Sequence, residues 1–197
     1  MAEYRLKTPL AESDVRQLRT GDTVLIDGLI FGIRDATHIH IFDYGKKPPV
    51  DLAGAALLHV APNVKRVGDR YEPICVGTTT STRMDRFTGG LLRDYGVRAI
   101  IGKGGLYEES TRLLKEYGGV YLAVVGGAAS VETVQVEEIE AVYYEELMPE
   151  CLWQFRVKDF GPLIVAIDSH GNNLYFSVKD RARQRLQQVY AELGIKG

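Results

Sequence analysis

Between residues 72 and 125 the chain repeats one pattern: an apolar run, a loop rich in glycine or hydroxyls, then a helical stretch. Ile74-Cys75-Val76 runs into Gly77-Thr78-Thr79-Thr80-Ser81, and Ala99-Ile100-Ile101 runs into Gly102-Lys103-Gly104-Gly105. Val120 to Val125 forms a third run and ends in Gly126-Gly127. Strand–loop–helix in succession is the pattern of parallel βαβ units with right-handed crossovers, so an α/β fold is expected. The first helix should take Ser81 or Thr82 as N-cap and set Met84, Phe87, Leu91 and Leu92 on its apolar face. Thr82 and Asp85 stand at capping-box spacing, with aspartate where glutamate or glutamine is preferred. Gly89-Gly90 weakens that helix by about 1 kcal/mol per glycine relative to alanine. A second helix is expected from Glu108 to Tyr117.

The flanks read as β-rich. Val24-Leu25-Ile26 and Leu29-Ile30-Phe31 surround a turn-like Asp27-Gly28, and His38-Ile39-His40-Ile41-Phe42 alternates polar and apolar like a half-buried strand. Lys46-Lys47-Pro48-Pro49 breaks the pattern before a buried strand over Ala55 to Val60. Beyond residue 130, strands are expected over Thr133–Tyr143, Leu163–Ile167 and Leu174–Val178, with a turn at Ser169–Asn173. An amphipathic helix from Lys179 to Leu193 closes the chain. No internal sequence repeat or linker is visible, so 1–197 is expected to form one domain.

Composition narrows the function. With 24 basic and 26 acidic residues the net charge is −2, which lacks the footprint of a general nucleic-acid binder. The apolar runs fall far short of the ~20 residues that a membrane span needs. The N-terminus has no apolar core of a secretory signal, so a soluble cytoplasmic protein is expected. Cys75 and Cys151 match no metal or redox spacing, and the chain cannot ligate an iron–sulfur cluster or structural zinc with its own thiols.

Two loops should lie at the C-terminal ends of neighbouring parallel strands, the edge where ligands bind in open α/β sheets. Gly77 to Arg83 gathers hydroxyls at a helix N-terminus, where N–H groups and the helix dipole favour an anion and Arg83 adds a bidentate grip. Lys103 sits between glycines, where backbone approaches closely and an ammonium can reach a ligand. The bland readings are helix capping and a solvated lysine. Val97 and Gly104 break the P-loop spacing around Lys103, and Tyr107 occupies the third glycine position of a dinucleotide fingerprint. In Gly32-Ile33-Arg34-Asp35-Ala36-Thr37-His38, the Arg-Asp pair reads as a local salt bridge or as a third cationic arm beside a titratable histidine. His40, His59 and Trp153 read as structural. The acids at 137, 138, 140, 145 and 146 read as a solvated face.

Taken together, Gly32-x-Arg34-Asp35-Ala36-x-His38, Gly77-x-Thr79-Thr80-x-x-Arg83-Met84-Asp85 and Ile101-Gly102-Lys103-Gly104 resemble the β subunit of two-subunit iron–sulfur hydro-lyases. These are class I fumarate hydratase and L-tartrate dehydratase, and the module equals the C-terminal domain of single-chain class I fumarases. Val157-Lys158-Asp159-Phe160 and Val165-Ala166-Ile167-Asp168-x-x-Gly171-Asn172 extend the resemblance over nearly the whole chain. It implies a swivelling β/β/α domain with a central parallel βαβ portion flanked by β-rich segments. It also implies an α subunit carrying a [4Fe–4S] cluster on three cysteines, in an αβ or α2β2 assembly, with no metal held by this chain. Arg34, Arg83 and Lys103 would hold a C4 dicarboxylate, and Thr79 would exchange a proton with the substrate carbon. Asp35, His38, Thr80 and Asp85 would lie near the site. Two departures concern loop rigidity: Gly77-Thr78 replaces the Gly-Pro of many relatives, and Ala61-Pro62-Asn63-Val64 replaces a Gly-Pro turn.

The leading expectation is reversible hydration of fumarate to (S)-malate. Dehydration of L-tartrate to oxaloacetate is the close alternative, and a non-catalytic anion-binding or assembly module is the reading from another class.

Overall fold

The computed structural model describes residues 1–125 and 127–195; Gly126, expected to end a strand, lies outside them. Among the described residues nine strands run in chain order: β1 (Glu3–Lys7), β2 (Thr23–Ile33), β3 (Ala56–His59), β4 (Asn63–Val67), β5 (Arg70–Cys75), β6 (Ala99–Gly102), β7 (Val120–Ala123), β8 (Val136–Tyr143) and β9 (Leu152–Ile167). Six α-helices accompany them: α1 (Glu12–Arg16), α2 (Asp35–Phe42), α3 (Thr88–Tyr95), α4 (Glu108–Tyr117), α5 (Ala129–Val134) and α6 (Leu174–Glu192).

Seven strands form one mixed sheet in the order β1-β2-β3-β6-β7-β9-β8, with a further antiparallel pairing of β2 to β9. β2, β3, β6 and β7 pair in parallel, and the long β9 returns antiparallel to both β7 and β2. The pairings therefore close into a ring, β2-β3-β6-β7-β9. Side chains alternate across this ring, as the two-residue period of a strand requires. Leu58, Ile101, Leu122 and Phe155 pack into one core, while Leu57, Ile100 and Tyr121 pack into a second core with Leu91, Leu92 and Leu114 of α3 and α4. Strands buried on both faces are apolar at every position, which is why 99–101 and 120–122 read as unbroken runs.

The α/β class and the parallel β6–α4–β7 unit match the sequence reading, and α4 has the expected bounds. Several local readings do not. Residues 38–42 are helical, within α2, because Thr37, His38 and Ile41 are buried and their neighbours half-buried, so the usual one-sided stripe is missing. Asp27-Gly28 is no turn. β2 continues through a register shift there, and the Asp27 carboxylate accepts from the Asp159 N–H at 2.7 Å and pairs with Lys158. Leu174–Val178 begins α6 rather than forming a strand, with the Asn173 side chain accepting from the N–H groups of Tyr175 and Phe176. Thr133 lies in α5, not in a strand.

The first expected βαβ unit is also rearranged. Cys75 ends β5, which pairs with β4 as an antiparallel hairpin outside the seven-stranded sheet. The chain leaves β3, makes this hairpin, and returns to the same place. Thr78 bridges Val60, the Thr79 N–H donates to the His59 carbonyl at 2.8 Å, and Thr80 pairs in parallel with Lys103. The Gly77 loop thus reaches the C-terminal ends of β3 and β6 by a detour.

Candidate active site

Three segments converge at that edge. At the end of β2, Arg34 adopts an extended conformation and becomes the N-cap of α2, leaving Asp35 in the first turn. The Gly77–Thr80 loop runs into a 3₁₀ turn over Ser81–Phe87, capped by Thr80 rather than Ser81 or Thr82. The third segment is the loop after β6, fastened to the second by the Ser81 N–H, which donates to the Lys103 carbonyl at 2.8 Å. Close packing here requires glycine. A Cβ on Gly102 would lie 1.9 Å from Ser81 Oγ, and Gly104 has φ of +83° with Thr80 against it.

The side chains form a chain of charge. Asp35 accepts from Arg83 twice, Nη2 to Oδ2 at 3.0 Å and Nε to Oδ1 at 3.3 Å. Its Oδ2 also lies 3.3 Å from Arg34 Nε, so one carboxylate separates two guanidiniums. Arg83 Nη2 further donates to Thr79 Oγ1 at 3.3 Å. Burial would push the Asp35 carboxyl up, but hydrogen bonding and charge from Arg83, its own backbone N–H and Arg34 outweigh this and hold it below the usual range. The Asp35 hydrogen bond raises Arg83 in turn. Arg83 remains 47% exposed on its side chain, open to a ligand, and among the described residues Lys103 makes no ion pair.

Arg34, Asp35, Thr79, Thr80, Arg83 and Lys103 are thus brought together. Asp85 is not. Its carboxylate accepts from the Tyr107 N–H at 2.8 Å and its carbonyl from Ser110 Oγ, tying the 3₁₀ turn to the start of α4 instead of boxing with Thr82. His38 lies beneath the site. Its Nδ1 donates to the Arg34 carbonyl at 2.8 Å and its ring stacks on Phe87. Burial pushes it down to about 4, so this histidine is neutral near pH 7. His59, edge-on to His38, contacts Ser81 Oγ at 2.9 Å, and Ser81 accepts from the Tyr121 hydroxyl at 3.0 Å. Burial also drives His59 well below its usual value. His59 lies in a strand as expected, β3, whereas His40 lies in a helix.

Sequence reasoning missed two acids. Glu150 pairs with Arg34 at 3.4 Å and accepts from the Ala36 N–H at 2.8 Å, acting as a remote cap for α2. Glu132, on α5, is buried beside the Thr78 backbone and within the field of Lys103. Neither has a local signal, since their partners lie 114 and 29 positions away at the nearest contact or charge. The motif residue Asp168 clamps a turn, accepting from the N–H groups of Thr20, His170 and Asn172.

The donor set does not fit an iron–sulfur cluster. Cys75 is exposed on β5, Cys151 is buried with its Sγ against Met148 Sδ, and no described group of three or more His, Cys, Asp or Glu could hold a metal. No described helix is long and apolar enough to cross a membrane.

Cationic, threonine-bearing loops at the C-terminal edge of parallel strands make this an α/β protein whose ligand edge is suited to an anion. Comparison with known proteins places it more narrowly: the family described as Fumarase C-terminus matches residues 1–178, and the chain belongs to that family. It is 38% identical over 189 residues to the Escherichia coli K12 protein named L(+)-tartrate dehydratase subunit beta, covering 95% of this chain and 94% of that one. A Methanocaldococcus jannaschii protein named "Putative L(+)-tartrate dehydratase subunit beta" is 38% identical over 185 residues, 91% of this chain and 95% of that one. A Geobacillus stearothermophilus protein named "Putative fumarate hydratase class I" is also 38% identical over 185 residues, which span 93% of this chain but 35% of that longer one.

Proposed function

We propose that this chain is the β subunit of a class I hydro-lyase that interconverts fumarate and (S)-malate in the cytoplasm. On this reading residues 1–197 act as one swivelling β/β/α unit, paired with an α subunit as αβ or α2β2. The observation that carries the proposal is that Arg83 donates to the Thr79 hydroxyl, shares Asp35 with Arg34, and stands on the loop whose Thr80 bridges Lys103. A C4 dicarboxylate brings two charges into a partly dry cleft and needs paired cations there. Asp35 occupies the Nε–Nη2 side of Arg83, leaving Nη1 toward the ligand. The Nη2 contact stabilises negative charge on Thr79 Oγ1 as that hydroxyl exchanges a proton with the substrate carbon. Lys103 adds positive field for the charge that develops next to a carboxylate when its neighbouring carbon loses a proton. A [4Fe–4S] cluster on the partner would supply Lewis acidity at the substrate hydroxyl; nothing in this chain ligates it.

A second reading, L-tartrate to oxaloacetate, draws support from the names of the relatives matched along nearly their full length. Anaerobic reconstitution with the cluster-bearing partner separates the two. Hydration of fumarate and dehydration of malate, with L-tartrate turned over poorly, supports the fumarate reading, while preference for tartrate transfers the mechanism to that substrate. Full activity of the partner without this chain would contradict both.

A further inference from the structure

The most unusual ionisable group outside the cationic cluster is a buried carboxyl. Glu132 is 4% exposed, and its Oε2 has no hydrogen-bond partner among the described residues. Its helix, α5, grips the returning chain at three consecutive residues. Thr133 Oγ1 accepts from the Val76 N–H at 2.8 Å, Ala129 packs on Gly77 so closely that a Cβ there would approach to 3.0 Å, and the Thr78 N–H faces the Glu132 carboxyl. The next residue is Thr79. A carboxyl with an unpaired oxygen in so dry a place is costly as an anion unless a cation compensates it.

The cation whose field reaches it is Lys103. Burial pushes the Glu132 carboxyl up to about 7, against the pull of the Thr78 N–H and of Lys103. The ionisable groups on the strands packed against α5 do not act on it: Arg70, Glu72 and Cys75 of β5 and Glu137 and Glu138 of β8 are exposed, Glu140 pairs with Arg156, and Tyr71 stands edge-on to Trp153.

We propose that Glu132 is a positioning residue: it holds the loop that presents Thr79, shares the charge of Lys103, and takes up a proton when a dianionic substrate claims that lysine. The proposal rests on the dicarboxylate reading above. The proton comes from solvent and returns to it when the anion leaves, so the group is unchanged over a cycle. Carboxylate at Glu132 and a substrate carboxylate compete for one ammonium, so affinity should weaken as Glu132 ionises.

The test has two arms. In the reconstituted complex, KM for the dicarboxylate should rise roughly 3- to 10-fold between about pH 6.5 and 8.5 with kcat little changed, and Glu132→Gln should flatten that rise. An unchanged KM profile in the Glu132→Gln complex would overturn the proposal. The second arm needs no substrate: in the full-length chain with ¹³C-labelled glutamate carboxyls, the Glu132 resonance should titrate near neutral pH and move to higher pH in Lys103→Met. A Glu132 titration indifferent to Lys103→Met would overturn the coupling. If the labelled carboxyl behaves as described but no C4 dicarboxylate is turned over, the function reading fails while the Glu132–Lys103 coupling stands.

Discussion

The two arginines, Arg34 and Arg83, and the lysine, Lys103, are held in opposite ways. The two guanidiniums share Asp35, and Arg34 also meets Glu150, so their positions are set before a ligand arrives. Lys103 makes no ion pair among the described residues; its backbone is pinned to Ser81, and its charge acts on the buried Glu132 carboxyl. The difference separates two tasks. A preorganised, part-neutralised pair supplies geometry at the cost of some attraction. A lysine outside any ion pair supplies field that an incoming anion can claim.

Substitutions that break this contrast should differ in what they disturb. Lys103→Met removes the unshared charge and should lower kcat/KM of the reconstituted complex about 100-fold, read from steady-state kinetics. Asp35→Asn leaves both guanidiniums without their common partner. It should lower kcat/KM about 10-fold, mainly through KM, because the arginines lose orientation but keep their charge.

Acid stability sharpens the comparison from below. His38 and His59 are buried neutral under the arginine side, so between about pH 4 and 6.5 the unfolded chain binds more protons than the folded one. Stability therefore rises with pH across that window, by up to about 1.4 kcal/mol per pH unit for each histidine, and is lost on acidification. Glu132 has the opposite sign: its folded value of about 7 lies above the ordinary 4.5, so its contribution falls as pH rises between them. Thermal unfolding should show Tm increasing from about pH 5 to 6.5, and increasing more steeply in Glu132→Gln. The smallest effect is expected for Glu150→Gln, about 1 kcal/mol in denaturant unfolding, because it weakens one hydrogen bond to the Ala36 N–H and one partly exposed ion pair.

The sequence made the cations and Asp35 legible and hid the two more distant acids. Thr79, Arg83 and Lys103 stand in loops after apolar runs, where the ligand edge of a parallel sheet could be anticipated. Glu132 and Glu150 act across long separations, and a lone glutamate in a polar stretch looks solvated until the fold buries it. The same limit explains α2. Its eight residues are covered nearly all round, so His-Ile-His-Ile shows a two-residue alternation and no helical stripe. The β4–β5 hairpin is harder still. Ile74-Cys75-Val76 has the composition of a buried strand, yet Ile74 and Cys75 are exposed and only Val76 enters the core.

On the proposed function this chain supplies the substrate-holding half of a shared active site, and Arg83 is the residue that tests it most directly. Turnover of fumarate, malate and L-tartrate should be measured in the reconstituted complex carrying Arg83→Ala, with subunit assembly and cluster content matched to the unaltered complex. The account predicts no more than about one-hundredth of the unaltered kcat/KM on whichever substrate is preferred. Undiminished turnover in an intact Arg83→Ala complex would contradict it.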